Sequence, residues 1–118
     1  MHKYNLNQLP TLALSFNDLV SVRSIIRAYI TYTRRVSKPT RERDEQIHVL
    51  ESLYLRLANM PTNVTDVALL LSVAEIAALD CALAGFCAFV RSKVPPSQER
   101  DETLADVERL RQVLARMR

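Results

Sequence analysis

The chain repeats itself with a period of 57 residues, and this internal repeat constrains its fold more than any other feature. When the chain is aligned with itself at that offset, positions 14–60 match positions 71–117 without a gap, and at least twelve of these 47 positions are identical. Average residue usage would give about three identities by chance. Because self-similarity at a fixed period marks a repeated structural unit, the sequence predicts two copies of one fold. The alternative is two helical hairpins with convergent patterning.

Each unit opens with a short apolar run that alternates in the manner of a β-strand. In the first unit the alternation includes Leu12 and Leu14, and in the second it includes Leu69 and Leu71. A period of two places these leucines on one face of an extended segment. The sequence therefore predicts one strand of four or five residues at the start of each unit.

A helix-start signal follows each predicted strand. Ser15 precedes Asp18 by three positions in the first unit, and Ser72 precedes Glu75 by three in the second. This spacing is that of a capping box, in which the serine hydroxyl and the acidic side chain each accept a hydrogen bond from the other residue's backbone amide. The pattern predicts that a helix begins at each serine.

Helical periodicity and prolines divide the rest of each unit into two helices. The first helix runs to about 36, and the second runs from about 40 to 60. The third covers about 73–93, and a fourth follows Pro95–Pro96. The predicted fold is mainly α: tandem duplicated β-α-α units form a four-helix core with a small two-stranded antiparallel ribbon and pseudo-two-fold symmetry. The whole chain, 1–118, is predicted to be a single domain, with repeat units of about 11–60 and 67–118.

The third helix is much more apolar than the others. Between positions 67 and 90 only Glu75 and Asp80 are charged, and Ala82–Val90 is continuously apolar. A helix that is apolar all round is expected to be buried on all sides, which a four-helix monomer of this size does not readily provide. We therefore expect self-association through this helix, as a homodimer, or contact with another protein. The candidate interface residues are Leu83, Ala84, Phe86, Ala88 and Phe89.

Three alternatives remain for this helix. It could be the central helix of a monomeric core, or a small apolar ligand could lie between the units near Phe86 and Phe89. A membrane span is disfavoured because two acidic residues lie in its N-terminal half, so no membrane association is expected.

Basic residues concentrate in the first half of the chain. Residues 1–60 carry nine Lys and Arg against five Asp and Glu, whereas residues 61–118 carry seven against eight. Such a stripe is typical of a solvated helix face, and the alternative function is that of a nucleic-acid-associated factor. The candidate basic surface residues are Arg23, Arg27, Arg34, Arg35, Lys38 and Arg41.

A charged quartet occurs in both units, as Glu42–Glu45 and Glu99–Glu102. Each copy follows a proline at a predicted helix start, where acidic residues interact favourably with the helix dipole. Helix-start chemistry is the preferred interpretation, and an ion-pair latch between the two units is the alternative.

The residue types give no support for catalysis. The single glycine excludes a glycine-rich phosphate loop, and neither His2 nor His48 recurs in the other unit. Cys81 and Cys87 are six positions apart on one helix, too far for a disulfide, and are expected to be small buried apolar residues. We expect a cytoplasmic, non-catalytic protein without metal or cofactor.

Overall fold

The computed structural model describes residues 11–60 and 66–117, which form four helices and a two-stranded ribbon. This confirms the prediction of a mainly helical chain with a small antiparallel ribbon. The N-terminal ten residues, Pro61–Asn63 and position 118, on which parts of the sequence analysis rest, lie outside the described residues. The elements are β1 (Thr11–Ser15), α1 (Phe16–Val36), α2 (Arg41–Ala58), β2 (Asp66–Leu70), α3 (Val73–Lys93) and α4 (Gln98–Arg116).

The ribbon turns one leucine face towards the helices. β1 and β2 pair antiparallel, with Leu12 directly opposite Leu69 and Ala13 opposite Ala68. Leu12, Leu14 and Leu69 are buried, whereas both alanines are exposed, as the two-residue period requires. A two-stranded ribbon is marginal in water by itself, so burial of these leucines under the helices holds it in place.

Serine caps begin both first helices of the units, but only one capping box is complete. Ser72 Oγ accepts from the Glu75 amide at 3.1 Å, and the Ser72 amide donates to Glu75 Oε1 at 2.8 Å. Ser15 Oγ likewise accepts from the Asp18 amide at 3.1 Å. The shorter Asp18 side chain does not return the bond, and its carboxylate lies 3.8 Å from Arg109 Nη2. The prediction for α1 is therefore correct for the cap and wrong for the full box.

An arginine closes each helical hairpin. Arg43 Nη1 donates to the carbonyl of Ser37, the residue that caps α1, at 2.9 Å. Arg100 Nη2 donates to the carbonyl of Arg91, in the last turn of α3, at 3.4 Å. Carbonyls at helix C-termini lack partners within the helix, so these arginines satisfy them and fix the turn geometry.

The charged quartets start α2 and α4, as the preferred interpretation held. Thr40 Oγ1 accepts from the Arg43 amide at 3.1 Å, and Ser97 Oγ accepts from the Arg100 amide at 3.0 Å. Glu45 pairs with Arg41 of the same helix at 3.1 Å. Among the described residues, no quartet side chain contacts the other unit, so the alternative of a latch formed by the quartets is wrong.

Helix α3 is the common neighbour of the other three helices. It packs against α4 of its own unit and against both α1 and α2 of the other unit. The deepest core side chains are leucines from several elements, and full burial of such a side chain stabilises the fold by about 1.5–3 kcal/mol. Those with no exposed surface are Leu50, Leu53, Leu57, Leu69, Leu79, Leu83 and Leu114.

Gly85 lets α1 and α3 approach closely. A Cβ atom at this position would lie 2.8 Å from Cε1 and 3.0 Å from Cδ1 of the Tyr29 ring. Tyr29 is half-buried, and its hydroxyl donates to Gln46 Oε1 at 3.4 Å. The ring therefore has support from α2 and cannot simply rotate away from α3.

We predict that Gly85→Ala destabilises the chain. Alanine gains about 1 kcal/mol of helix propensity over glycine, but overpacking against Tyr29 costs about 1–3 kcal/mol. Urea unfolding at fixed protein concentration should show a net loss of about 1 kcal/mol. In a Tyr29→Leu background the same substitution should be stabilising, and stabilisation in the wild-type background would contradict this account of the contact.

Candidate interaction surface on helix α3

One side of α3 forms the centre of the core. Its buried residues come from three sides of the helix, because α1, α2 and α4 all pack on it. They are Ile76, Ala78, Leu79, Ala82, Leu83, Cys87 and Val90.

The remaining side of α3 faces outward and is apolar. Ala74, Ala77, Cys81 and Ala88 are exposed and fall within about 40° of one another's mean direction at 100° per residue. We call these four residues the outer strip. Val73, 81% exposed, and Phe89, 51% exposed, flank it at the two ends of the helix. The expectation that α3 is buried on all sides within one chain is therefore wrong, because only three helices are available to cover it.

The structure divides the five predicted interface residues between core and surface. Leu83 is fully buried within the chain and is not available to a partner. Ala84 and Phe86 are half-buried, and Phe86 packs against the core. Ala88 and Phe89 are exposed. The surface signal in the sequence is therefore carried by small residues on the outward arc, most of which the prediction did not include.

The corresponding face of α1 has a different composition. The positions 57 residues before the outer strip are Asn17, Val20, Ser24 and Thr31. Three of the four are polar and exposed, and Val20 is half-buried. A helix face that meets water usually carries polar residues, as α1 does. The outer strip departs from that rule in a helix of the same length.

By length and composition alone, α3 is also sufficient to cross a membrane. Its most apolar 18-residue window has a mean hydropathy of 1.9, and 39% of that window is buried inside the chain. The core helix of a folded protein passes the same test, and α3 supplies the core here. The absence of membrane association stays a prediction.

The two cysteines have different environments. Both are free, as expected, and Cys87 is buried. Cys81 is exposed in the middle of the outer strip, so the expectation that both are buried is wrong for this residue. Burial, followed by a hydrogen bond to the Glu108 carboxylate, raises the pKa of Cys87 to about 11. The Cys87 thiol is therefore protonated at neutral pH and packs as a core side chain.

A charged cluster ties α4 to α3 beside Cys87. Glu108 Oε1 lies 3.4 Å from Arg91 Nη2 and 3.5 Å from Arg111 Nη1, and Arg111 Nε donates to Asp80 Oδ1 at 3.0 Å. Burial alone would raise the pKa of Glu108, but the Cys87 hydrogen bond and the two guanidinium groups outweigh it and lower that pKa. The cluster thus anchors α4 and has its charges paired.

A second arginine joins the two units. Arg56, near the end of α2, donates from Nη1 to Glu75 Oε2 at 2.5 Å and from Nη2 to the Leu70 carbonyl at 2.6 Å. Burial acts to raise the pKa of Glu75, but the Ser72 amide and Arg56 outweigh it, so that pKa lies below 4.5. The sequence gave no signal for this contact, because Arg56 corresponds to Val113 in the repeat.

The predicted basic residues lie along α1 and the following turn, and two of the six are paired with acids. Arg34 bonds to Glu51 at 3.0 Å, and Arg41 pairs with Glu45. The other four side chains, namely Arg23, Arg27, Arg35 and Lys38, form no ion pair within the described ranges.

The described surface offers little that resembles a small-molecule site. A shallow depression on α2 is lined by Arg41, Asp44, Glu45, His48 and Val49, and a second lies at the α3–α4 turn around Val94 and Arg100. Neither includes Phe86 or Phe89, which the apolar-ligand alternative requires. In the part of the chain that the structure describes, no three metal-ligating side chains cluster. No family model, curated protein or solved structure matches this chain.

We predict that the Arg56–Glu75 contact makes stability depend on acid pH. Folding lowers the pKa of Glu75, so the unfolded chain takes up this proton first. The stabilisation is complete above the ordinary value of 4.5 and is lost as the pH falls through the folded-state pKa.

Glu75→Gln should therefore reduce the loss of unfolding free energy between neutral pH and about pH 3, measured by urea titration. Glu45→Gln, which removes only an exposed pair within one helix, serves as the matched control and should change stability by less than about 0.5 kcal/mol. An unchanged pH dependence in Glu75→Gln would contradict the assignment.

Proposed function

We propose that this protein is a non-catalytic interaction module that associates with a second copy of itself through the outer strip of α3. The observation that supports this proposal is the exposure of an apolar, uncharged helix face along the most apolar element of the chain. Contiguous apolar surface of this kind marks an interaction site in soluble proteins.

The size of the surface is compatible with a modest dimer. A 21-residue helix is about 31 Å long, so one face of α3 offers a strip of a few hundred Å². Stable interfaces bury about 800 Å² per partner, so the contact needs neighbouring groups as well. Val73, Phe89 and Leu70, which is 49% exposed, provide such apolar surface beside the strip.

The chemistry of the strip favours a second copy as the partner. A two-fold dimer places the same patch on both sides of the contact, so the patch must be complementary to itself. A strip without charges meets its own image without electrostatic repulsion, and its alanines allow two helices to approach closely. A charged partner would gain nothing from this face.

The proposal includes an origin by duplication, with the two units related by a pseudo-two-fold axis. Its support is the recurrence of contacts at the offset of 57 residues: α1 and α3 cover corresponding positions throughout. The Arg34–Glu51 bond corresponds to Arg91–Glu108. In the ribbon, Leu12 is paired with Leu69, which is also its counterpart in the repeat. A dyad through that pair maps each strand onto the other.

We predict that Cys81→Glu converts the dimer into a monomer. In a two-fold contact centred on the strip, two buried carboxylates would face each other without partners, at a cost of several kcal/mol. Sedimentation velocity at micromolar concentration should show a loss of the dimer for this variant.

Ser24→Glu is the matched control, because Ser24 is the exposed α1 counterpart of Cys81. This variant should sediment as the wild type does. A wild-type chain that is monomeric at these concentrations, or equal behaviour of the two variants, would overturn the proposal.

A second candidate function is nucleic-acid binding by the basic surface of α1. One observation supports it: four cationic side chains there form no ion pair with another described residue, and phosphates would neutralise them. This candidate ranks below self-association because Arg34 and Arg41 are already paired with acids.

Fluorescence anisotropy with labelled duplex DNA and RNA tests this candidate. It predicts binding at 50 mM salt whose log–log salt slope falls by about two in the Arg27→Gln, Arg35→Gln double variant. Arg41→Gln, which alters an ion-paired arginine, should have a smaller effect. No binding at low salt would exclude this function.

A further inference from the structure

We propose that the two copies pack with their α3 helices antiparallel and with the dimer axis passing beside Cys81. This arrangement deepens the proposed function and rests on it. It commits the outer strip to one occupant, α3 of a second copy, in one orientation and one register.

The register follows from the positions of the small residues. Cys81 lies midway between Ala74 and Ala88, seven residues or about 10 Å from each along the helix axis. In an antiparallel pair with its axis at Cys81, Ala74 of one copy is level with Ala88 of the second, and Ala77 is level with Gly85. Small residues thus face small residues along the contact, and the helix axes can approach to about 8 Å.

The two large exposed side chains of α3 fit the same register independently. Val73 and Phe89 lie eight residues before and eight residues after Cys81. With the dimer axis at Cys81, Val73 of one copy is therefore level with Phe89 of the second. At 100° per residue the two side chains lie on opposite flanks of the strip, so both edges of the contact are closed by apolar groups at each end.

The charges at the ends of α3 favour the antiparallel orientation. Its first turn carries Glu75, and its last turn carries Arg91 and Lys93. A parallel pair would place each of these charges beside its own copy and would align the two helix dipoles. The antiparallel pair brings the acidic first turn of one helix towards the basic last turn of the other, within about one Debye length.

The geometry of this arrangement gives Cys81 a diagnostic position. Helix axes about 8–10 Å apart, with Cα atoms about 2.3 Å from each axis, place the two facing Cys81 Cα atoms about 4–6 Å apart. This separation is within the range that a disulfide spans. Cys87 is 1% exposed in the core of its own chain and has no access to its copy.

Oxidation of single-cysteine variants tests the register. Diamide takes up two hydrogen atoms from a pair of thiols, which join as a disulfide. Cys87→Ser, which retains Cys81, should give a covalent dimer on non-reducing gels, whereas Cys81→Ser, which retains Cys87, should give none. A Cys87→Ser chain that sediments as a dimer but does not cross-link would overturn the register while leaving self-association intact.

The orientation is tested separately with Ala74→Cys and Ala88→Cys, each made in a chain without Cys81. After the two proteins are mixed and re-equilibrated, we expect disulfides between position 74 and position 88. Disulfides within each unmixed sample would show a parallel pair and overturn the inference. A monomeric wild-type chain would instead contradict the proposed function on which the inference rests.

Discussion

The burial of α3 is the constraint on which the rest of the structure depends. This helix packs against every other helix of the chain and contributes Leu79 and Leu83 to the centre of the core. Three neighbouring helices cover three sides of it, and the ribbon of β1 and β2 covers part of the remaining core instead of the outer strip. The chain thus has more apolar helix surface than its own elements can cover. A partner that covers the outer strip would complete the burial that begins within the chain.

Local signals in the sequence were sufficient to predict the elements. The serines at 15 and 72 mark the starts of α1 and α3, and the prolines at 39 and 96 separate each hairpin into two helices. Alternating leucines identified both strands and the buried face of the ribbon. These features depend on backbone hydrogen bonding and on periodicity over a few residues, so they can be derived without knowledge of the tertiary structure.

Features that depend on the arrangement of helices could not be derived in this way. The run of apolar residues in α3 predicted burial on all sides, because composition does not reveal how many neighbours a helix has. The exposure of Cys81 and the burial of Leu83 follow from which arc of α3 meets the core. The contact of Arg56 with Glu75 joins residues 19 positions apart on different helices, and its α2 partner is absent from the other unit.

The two units share a scaffold but differ in what they present to the outside. The same hairpin, closed by Arg43 in one unit and by Arg100 in the other, carries a polar outward face on α1 and an apolar one on α3. Under the duplication that we propose, one copy kept a surface for water and the other acquired a surface for contact. This division of roles explains why the apolar excess is confined to one helix.

Sedimentation equilibrium of the unmodified chain over a range of micromolar concentrations tests the central claim most directly. If the outer strip is an interface between copies, the fitted mass approaches twice that of the chain as the concentration rises, and dilution reverses the change. A mass equal to that of one chain at every concentration would contradict the account.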